Sequence, residues 1–226
     1  MNEKPILFNS EMVNAILSGR KTQTRRIMGN QPAGQDLETV HVRHNDDFNF
    51  QWYGNLGESS YFPCPLGKPG DQLWVRETFA LLGNEDGVCV DWQDNMVKGD
   101  EQAAARIYKA SCEQKHGDYG LYSIPDSAYW KPDTSNMKYE GSWRPSIHMP
   151  RWASRINLLI TGIRVERLND ISEQDALAEG VSANEHSPAR YVFGSLWQSI
   201  YGADNPKSWQ ANPWVWVIEF ERMEAK

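Results

Sequence analysis

Cysteine is scarce and poorly placed for cross-linking. The chain holds three, Cys64, Cys89 and Cys112, an odd number at wide spacing. That pattern excludes a disulfide framework and a zinc knuckle and leaves free thiols as the expectation. His41 and His44 lie close in sequence, but no second Cys or His pair stands at ligand spacing, so neither a metal nor a cofactor is expected. Long apolar runs are missing too, which excludes a membrane-spanning helix. The start, Met1-Asn2-Glu3-Lys4-Pro5, lacks the basic and apolar stretches of a secretory signal, and the expectation is a cytoplasmic protein. Positive charge is in deficit: 23 Lys and Arg against 30 Asp and Glu give −7, the wrong sign for coating duplex nucleic acid. No glycine-rich phosphate loop, Gly-x-Ser-x-Gly elbow or His-Glu-x-x-His occurs, which removes the commonest nucleotide-triphosphatase, serine-hydrolase and metalloprotease readings. Internal repeats and interdomain linkers are also absent.

Against that background, 226 residues with 40% apolar and 12% aromatic content suffice for a packed core. One cluster stands out. Gly19-Arg20-Lys21-Thr22-Gln23-Thr24-Arg25-Arg26 sets four cations among two threonines, directly after Ser10 to Leu17, whose spacing predicts a capped amphipathic helix ended by Gly19 in a left-handed conformation. A lysine there, part-buried or crowded by Arg20, Arg25 and Arg26, is able to lose its proton near neutral pH. The competing reading is a solvated basic turn.

Residues 5 to 27 are expected to give a short strand from Ile6 to Phe8, the helix and the cluster. Residues 28 to 63, polar with scattered aromatics, read as an inserted loop or weak hairpin. A turn at Pro65 to Asp71 leads into a strand over Gln72 to Phe79. Residues 83 to 150 read as a second insertion, in which Ala103 to Ala110 is a strand or short helix and Trp143 to Pro150 a proline-bounded loop. Ala153 to Leu168 reads as a long strand, with Gly162 a bulge or a barrel corner. Two helices follow, one opened by the Asp170-Ile171-Ser172-Glu173 segment and stopped by Gly180, the other opened by Pro188 and stopped by Gly202. The last strand, Trp214 to Glu221, alternates clearly, with Trp214, Trp216, Ile218 and Phe220 on one face. The expectation is a single α+β domain: a small mixed barrel with helices, first and last strands in one sheet, and a core of about 5–27, 65–80 and 151–222.

Several of these segments together resemble the ASCH domains of the PUA-like superfamily. They are Ala15 to Arg25, the Gly70-Asp71 strand, the Glu179-Gly180 helix end and Trp216 to Phe220, and they cover the core, roughly half of the chain. The longer segments Lys68 to Thr78 and Arg144 to Arg155 are similar to a subgroup carried by phages and prophages. The resemblance implies a PUA-like mixed β-barrel flanked by helices, decorated here by two large loop insertions, with a cleft where the basic turn meets the later helix. ASCH domains have been proposed to bind RNA; one small bacterial member is an amidohydrolase of N4-acetylcytidine, and another has been described as a ribonuclease. Carried over, the amidohydrolase lysine falls on Lys21, its threonine on Thr24 and its glutamate on Glu179.

Amide hydrolysis needs a nucleophile, a base and an acid for the leaving amine. In that scheme neutral Lys21 takes the proton of Thr24, the hydroxyl attacks the acyl carbon, Glu179 orients the lysine or protonates the leaving nitrogen, and Arg26 or a backbone N–H stabilises the oxyanion. The lysine pKa must then fall several units from about 10.4. Each role has a rival: Lys21 as an ion pair at a helix end, Thr24 as an ordinary strand threonine, Glu179 as a solvated last-turn residue. Expected ligand contacts are Arg20, Arg25, Arg26, Arg76, Glu77, Arg144, His148, Arg151 and Trp152, where Arg76 and Glu77 either pair across strands or line the cleft. Trp143 and Trp152 are placed to stack on a base, whereas Trp74, Trp214 and Trp216 are assigned to the core. The expected partner is RNA or a small nucleoside, recognised with or without hydrolysis, and the acidic balance favours a small ligand or a short single strand. A ribonuclease is the third reading. The sequence leaves the oligomeric state open.

Overall fold

The computed structural model describes residues 2–32, 39–83, 88–93, 95–111 and 143–224. Cys112 and much of the second expected insertion lie outside them. The described residues form an α+β fold, mostly strands, with three α-helices and open sheets. In chain order the elements are β1 (Glu3–Leu7), α1 (Ser10–Leu17), β2 (Gln23–Ile27), β3 (His41–His44), β4 (Asn49–Gly54), β5 (Gly57–Glu58), β6 (Phe62–Pro63) and β7 (Gln72–Arg76). There follow β8 (Phe79–Leu81), β9 (Arg106–Tyr108), β10 (Asn157–Arg167), α2 (Glu173–Ala178), α3 (Ala189–Tyr201) and β11 (Trp214–Arg222). None of these helices is long and apolar enough to cross a membrane.

The chain divides into two compact units, one of Met1–Lys4, Ala15–Leu73 and Asn157–Lys226, the other of Pro5–Asn14 and Trp74–Ile156, with the division passing inside β1, α1 and β7. The main sheet has the order β1-β7-β10-β11-β2, so β1 and β11 do share a sheet. The barrel expected from the strand count is not closed: β1 and β2 end the sheet instead of pairing with each other.

In the first unit the long β10 and β11 pair antiparallel over nearly their whole length, with the register shifting between Ile160 and Gly162, so that of the bulge and the barrel corner expected at Gly162 the structure has a bulge in an open sheet. β2 continues the sheet, Arg25 facing Val217 and Thr24 facing Ile218. Because successive strand residues alternate faces, β11 is covered twice. Val215 and Val217 pack into a core with Ala176, Ala189, Phe193 and Trp197 from α2 and α3. On the other face Trp214 and Trp216 meet Trp52, Phe50 and Phe62 edge-on. Those aromatics explain why residues 28 to 63 are more than a weak hairpin: β3 to β6 form a sheet of their own that buries Phe50 and Trp52.

Local signals act mostly as read, with shifts of one to four residues at the ends, the largest at β10, which starts at Asn157 where the sequence suggests Ala153. Asn9, not Ser10, caps α1, its Oδ1 accepting from Met12 N at 2.8 Å. Gly19 takes φ +75° and passes the chain back so that Arg20 N and Lys21 N both donate to Ala15 O. Ser172 caps α2 by accepting from Asp175 N at 3.0 Å. Pro188 opens α3, and Gly202, at φ +83°, ends it. In the second unit, Arg106–Tyr108 is the strand and Lys109–Ser111 a 3-10 turn, so both alternatives for that segment occur side by side. The proline-bounded loop carries a further 3-10 turn, Ser146–His148, and another, Arg151–Ala153, follows it directly.

Candidate functional site

β2 is an edge strand, and an edge exposes backbone groups that need a partner. The end of α2 supplies it. Thr22 N donates to Ala178 O at 2.8 Å, and Lys21 bridges Glu179 antiparallel. Side chains on one face of the strand then meet the helix. Lys21 Nζ donates to Glu179 Oε2 at 2.7 Å and to Glu179 O at 2.8 Å. Gln23 Nε2 donates to Asp175 O at 2.7 Å and Oδ1 at 3.1 Å. Arg25 Nη1 donates to Glu179 Oε1 at 3.1 Å, while Nη2 bonds Glu166 and stands 3.7 Å from Asp175 Oδ2. Its guanidinium carbon lies 5.9 Å from the ring centroid of Phe193. Lys21 and Arg25 are each 2% exposed and Glu179 4%, so these charges neutralise one another inside the protein. Arg164 extends the network to Glu166 at 3.1 Å, Asp175 at 2.9 Å and Glu219.

Gly180 makes the approach possible. It sits at φ +93°, and a Cβ there would lie 2.8 Å from Ala15 Cβ and 2.9 Å from Lys21 Cβ. Arg20 stays at the surface but fastens the same turn, donating to Gly180 O at 3.0 Å.

Burial pushes the Lys21 ammonium below the ordinary lysine value of 10.5; the charge and hydrogen bond of Glu179 oppose the fall, and the nearby Arg26 and Arg25 add to it. For Asp175, burial alone would raise the carboxyl, but bonds from Ser172 and Gln23 and the charges of Arg164 and Arg25 outweigh it and hold it below its ordinary 3.8. A carboxylate depressed in the folded state stabilises above its unfolded value and loses that contribution as pH falls through the folded one. Acid titration followed by far-ultraviolet circular dichroism is therefore expected to show a loss of structure below pH 3.8 that Asp175→Asn makes shallower. An unchanged acid limb in that variant would remove Asp175 from the clamp.

Of the three residues expected to act together, Lys21 and Glu179 meet and Thr24 does not join them. The strand alternation puts Thr24 on the far face beside Ile218 and Trp216, among apolar side chains, and buries it to 1% exposure. Arg26 is also on that alternate, but at the sheet edge its side chain turns toward Tyr201, which hydrogen-bonds it, and it stays close enough to influence the charge on Lys21. Gln23, Arg164, Glu166 and Asp175 belong to the cluster although the sequence reading passed over them. Two signals were available: Asp175 and Glu179 are four apart around a helical turn, and Arg164 and Glu166 are two apart on one strand face.

The remaining expected ligand residues lie in the second unit. Glu77 is not paired with Arg76. It is buried and takes two bonds from Arg155, at 2.8 and 2.9 Å, while Arg155 lies 4.1 Å over the ring of Tyr108. Arg144 is held by Glu101 at 2.9 and 2.6 Å. Trp152 and Trp143, read as base-stacking groups, pack against small apolar clusters instead. Trp74, assigned to the core, is half-exposed and is faced by Arg76 at 5.6 Å and Arg151 at 5.8 Å. His148 is exposed in its 3-10 turn. The exchange has a simple cause: alternation puts Leu73 and Val75 inward on β7 and so leaves Trp74 and Arg76 on the outer side.

The geometry defines an α+β protein with a buried Lys-Glu-Arg cluster joining an edge strand to a short helix. Compared with protein-family models, curated proteins and solved structures, the chain has no match.

Proposed function

We propose that the chain is an ASCH-type protein of PUA-like architecture that binds a modified nucleoside and, with Lys21 paired to Glu179, hydrolyses the acyl group of an N-acylated cytidine such as N4-acetylcytidine. The observation that carries the reading is the 2.7 Å contact between Lys21 and a glutamate 158 positions away, at a lysine whose pKa burial lowers. A general base works best with its pKa near the operating pH. Because the Thr24 hydroxyl is on the other face, water is the nucleophile in this reading. Neutral Lys21 takes a proton from water, the oxygen attacks the acyl carbon, and the proton returns to the exocyclic nitrogen as the C–N bond breaks, giving acetate and cytidine. The Lys21 side chain is wholly buried, so the turn at Glu179-Gly180 has to lift for Nζ to meet substrate.

That same burial favours a second reading, in which the cluster is only a clamp and the protein binds a nucleoside or a short RNA strand without turnover. An assay for cytidine release from N4-acetylcytidine separates the two. Lys21→Ala is expected to abolish release while the protein stays folded, since Glu179 keeps Arg25 as partner. The pH profile of kcat/KM is expected to rise along a limb below 10.5. Glu179→Gln removes the charge that holds the lysine proton, so the limb moves to lower pH. Absence of release across a panel of acylated nucleosides would sink the hydrolase and leave the binding reading.

A further inference from the structure

Next to the cluster, on the Arg26 side, the first unit holds a cavity of about 470 Å³. That is within the size range of small-ligand sites. Its walls are apolar, with Ile27, Pro206 and Pro213 beside the ring of Tyr201. The charged residues lining it are Arg26 and Lys207, and no carboxylate contributes, in a chain whose net charge is −7.

Both walls are held in place. Gln31 accepts from Trp214 N at 2.9 Å and donates to Met28 O and Trp214 O, also at 2.9 Å, tying the segment after β2 to the start of β11. Across the cavity, Lys207 N donates to Asn205 Oδ1 at 2.7 Å, and Lys207 O accepts from Trp197 Nε1 at 2.8 Å. Arg26 is oriented by its hydrogen bond to Tyr201. The site therefore exists before any ligand arrives, which lowers the entropy cost of binding.

We infer that this cavity binds a nucleoside 5′-monophosphate in preference to the neutral nucleoside, the ring lying against Tyr201 and the prolines and the phosphate facing Arg26 and Lys207. The inference rests on the nucleoside reading above and specifies its ligand. A phosphate dianion suits two cations, and guanidinium presents paired donors to its oxygens. A neutral nucleoside brings no anion to either of the two cations that line the cavity.

Titration calorimetry with cytidine, cytidine 5′-monophosphate and inorganic phosphate tests it. The monophosphate is expected to bind roughly tenfold or more tightly than cytidine, with an affinity that falls as salt rises. Lys207→Gln, at an exposed position that folding tolerates, is expected to bring the two affinities together, and Arg26→Gln likewise. Equal affinities for cytidine and its monophosphate would overturn the inference and leave the nucleoside reading standing. So would inorganic phosphate binding as tightly as the monophosphate, which would mark a bare anion site, or a short single-stranded RNA displacing the monophosphate at lower concentration. If none of the nucleosides or nucleotides binds and N4-acetylcytidine is not hydrolysed, both readings fall.

Discussion

Glu179→Ala is expected to destabilise the protein by about 3–5 kcal/mol near neutral pH, because the substitution removes the acceptor of Lys21 Nζ and leaves a buried ammonium without a counter-charge. Arg25 suffers less, since it keeps Glu166 and Asp175. The loss has a distinctive pH dependence. Without Glu179 the Lys21 pKa falls further, whereas the unfolded chain holds the lysine proton up to 10.5. Between those two values the unfolded state binds more protons, so stability rises with pH in that window. Urea denaturation near neutral pH and at about pH 9.5 is therefore expected to show a large deficit that narrows at the higher pH. A deficit that stays constant would mean that Lys21 is not the group left stranded. The double substitution Lys21→Met with Glu179→Gln is a useful control. It removes the buried ammonium, keeps an acceptor for Arg25, and is expected to recover most of the stability with no recovery of hydrolysis.

Gly180→Ala is expected to lower stability by about 2–4 kcal/mol, combining the cost of a left-handed alanine with overpacking. The clash has no easy relief. The nearest atoms to the added methyl are Ala15 Cβ at 2.8 Å and Lys21 Cβ at 2.9 Å, both fixed to backbone and not at the end of a flexible side chain. Displacement falls on Lys21, so binding and turnover are expected to decline along with the melting temperature, by on the order of 10 °C. Gly162→Ala is a contrasting control: the atom it meets first is Glu219 Oε2, at the end of a side chain that can move. A Gly180→Ala protein melting like the parent would contradict the close approach of α2 to β2.

These two substitutions touch the part of the site that was most readable from sequence. Gly19, Lys21 and the Glu179-Gly180 helix end stand in recognisable local patterns, and the resemblance to ASCH domains joins Lys21 to Glu179. The face of Thr24 was also readable, since residues 21, 23 and 25 alternate against 22, 24 and 26 once the segment is a strand. The rest of the cluster was not. Arg25 finds Glu166 and Asp175 at separations of 141 and 150 positions, through strand and helix placements that no local window contains. For the same reason the aromatics of residues 48 to 53 looked like loop residues, whereas packing against Trp214 and Trp216 makes β4 a buried strand.

What the amino-acid sequence by itself determined was local: where the helices start and stop, which stretches alternate as strands, an irregularity at Gly162, and a basic segment placed at the end of a helix. These follow from short-range sterics, capping and periodicity. Only the tertiary structure decided that the sheet stays open, that Trp74 faces outward while Trp143 and Trp152 pack inward, and that Lys21 lies buried against Glu179 with Thr24 across the strand. Those outcomes depend on which distant surfaces exclude water together, and burial, more than the identity of the lysine, is what lowers its pKa and makes it a candidate base.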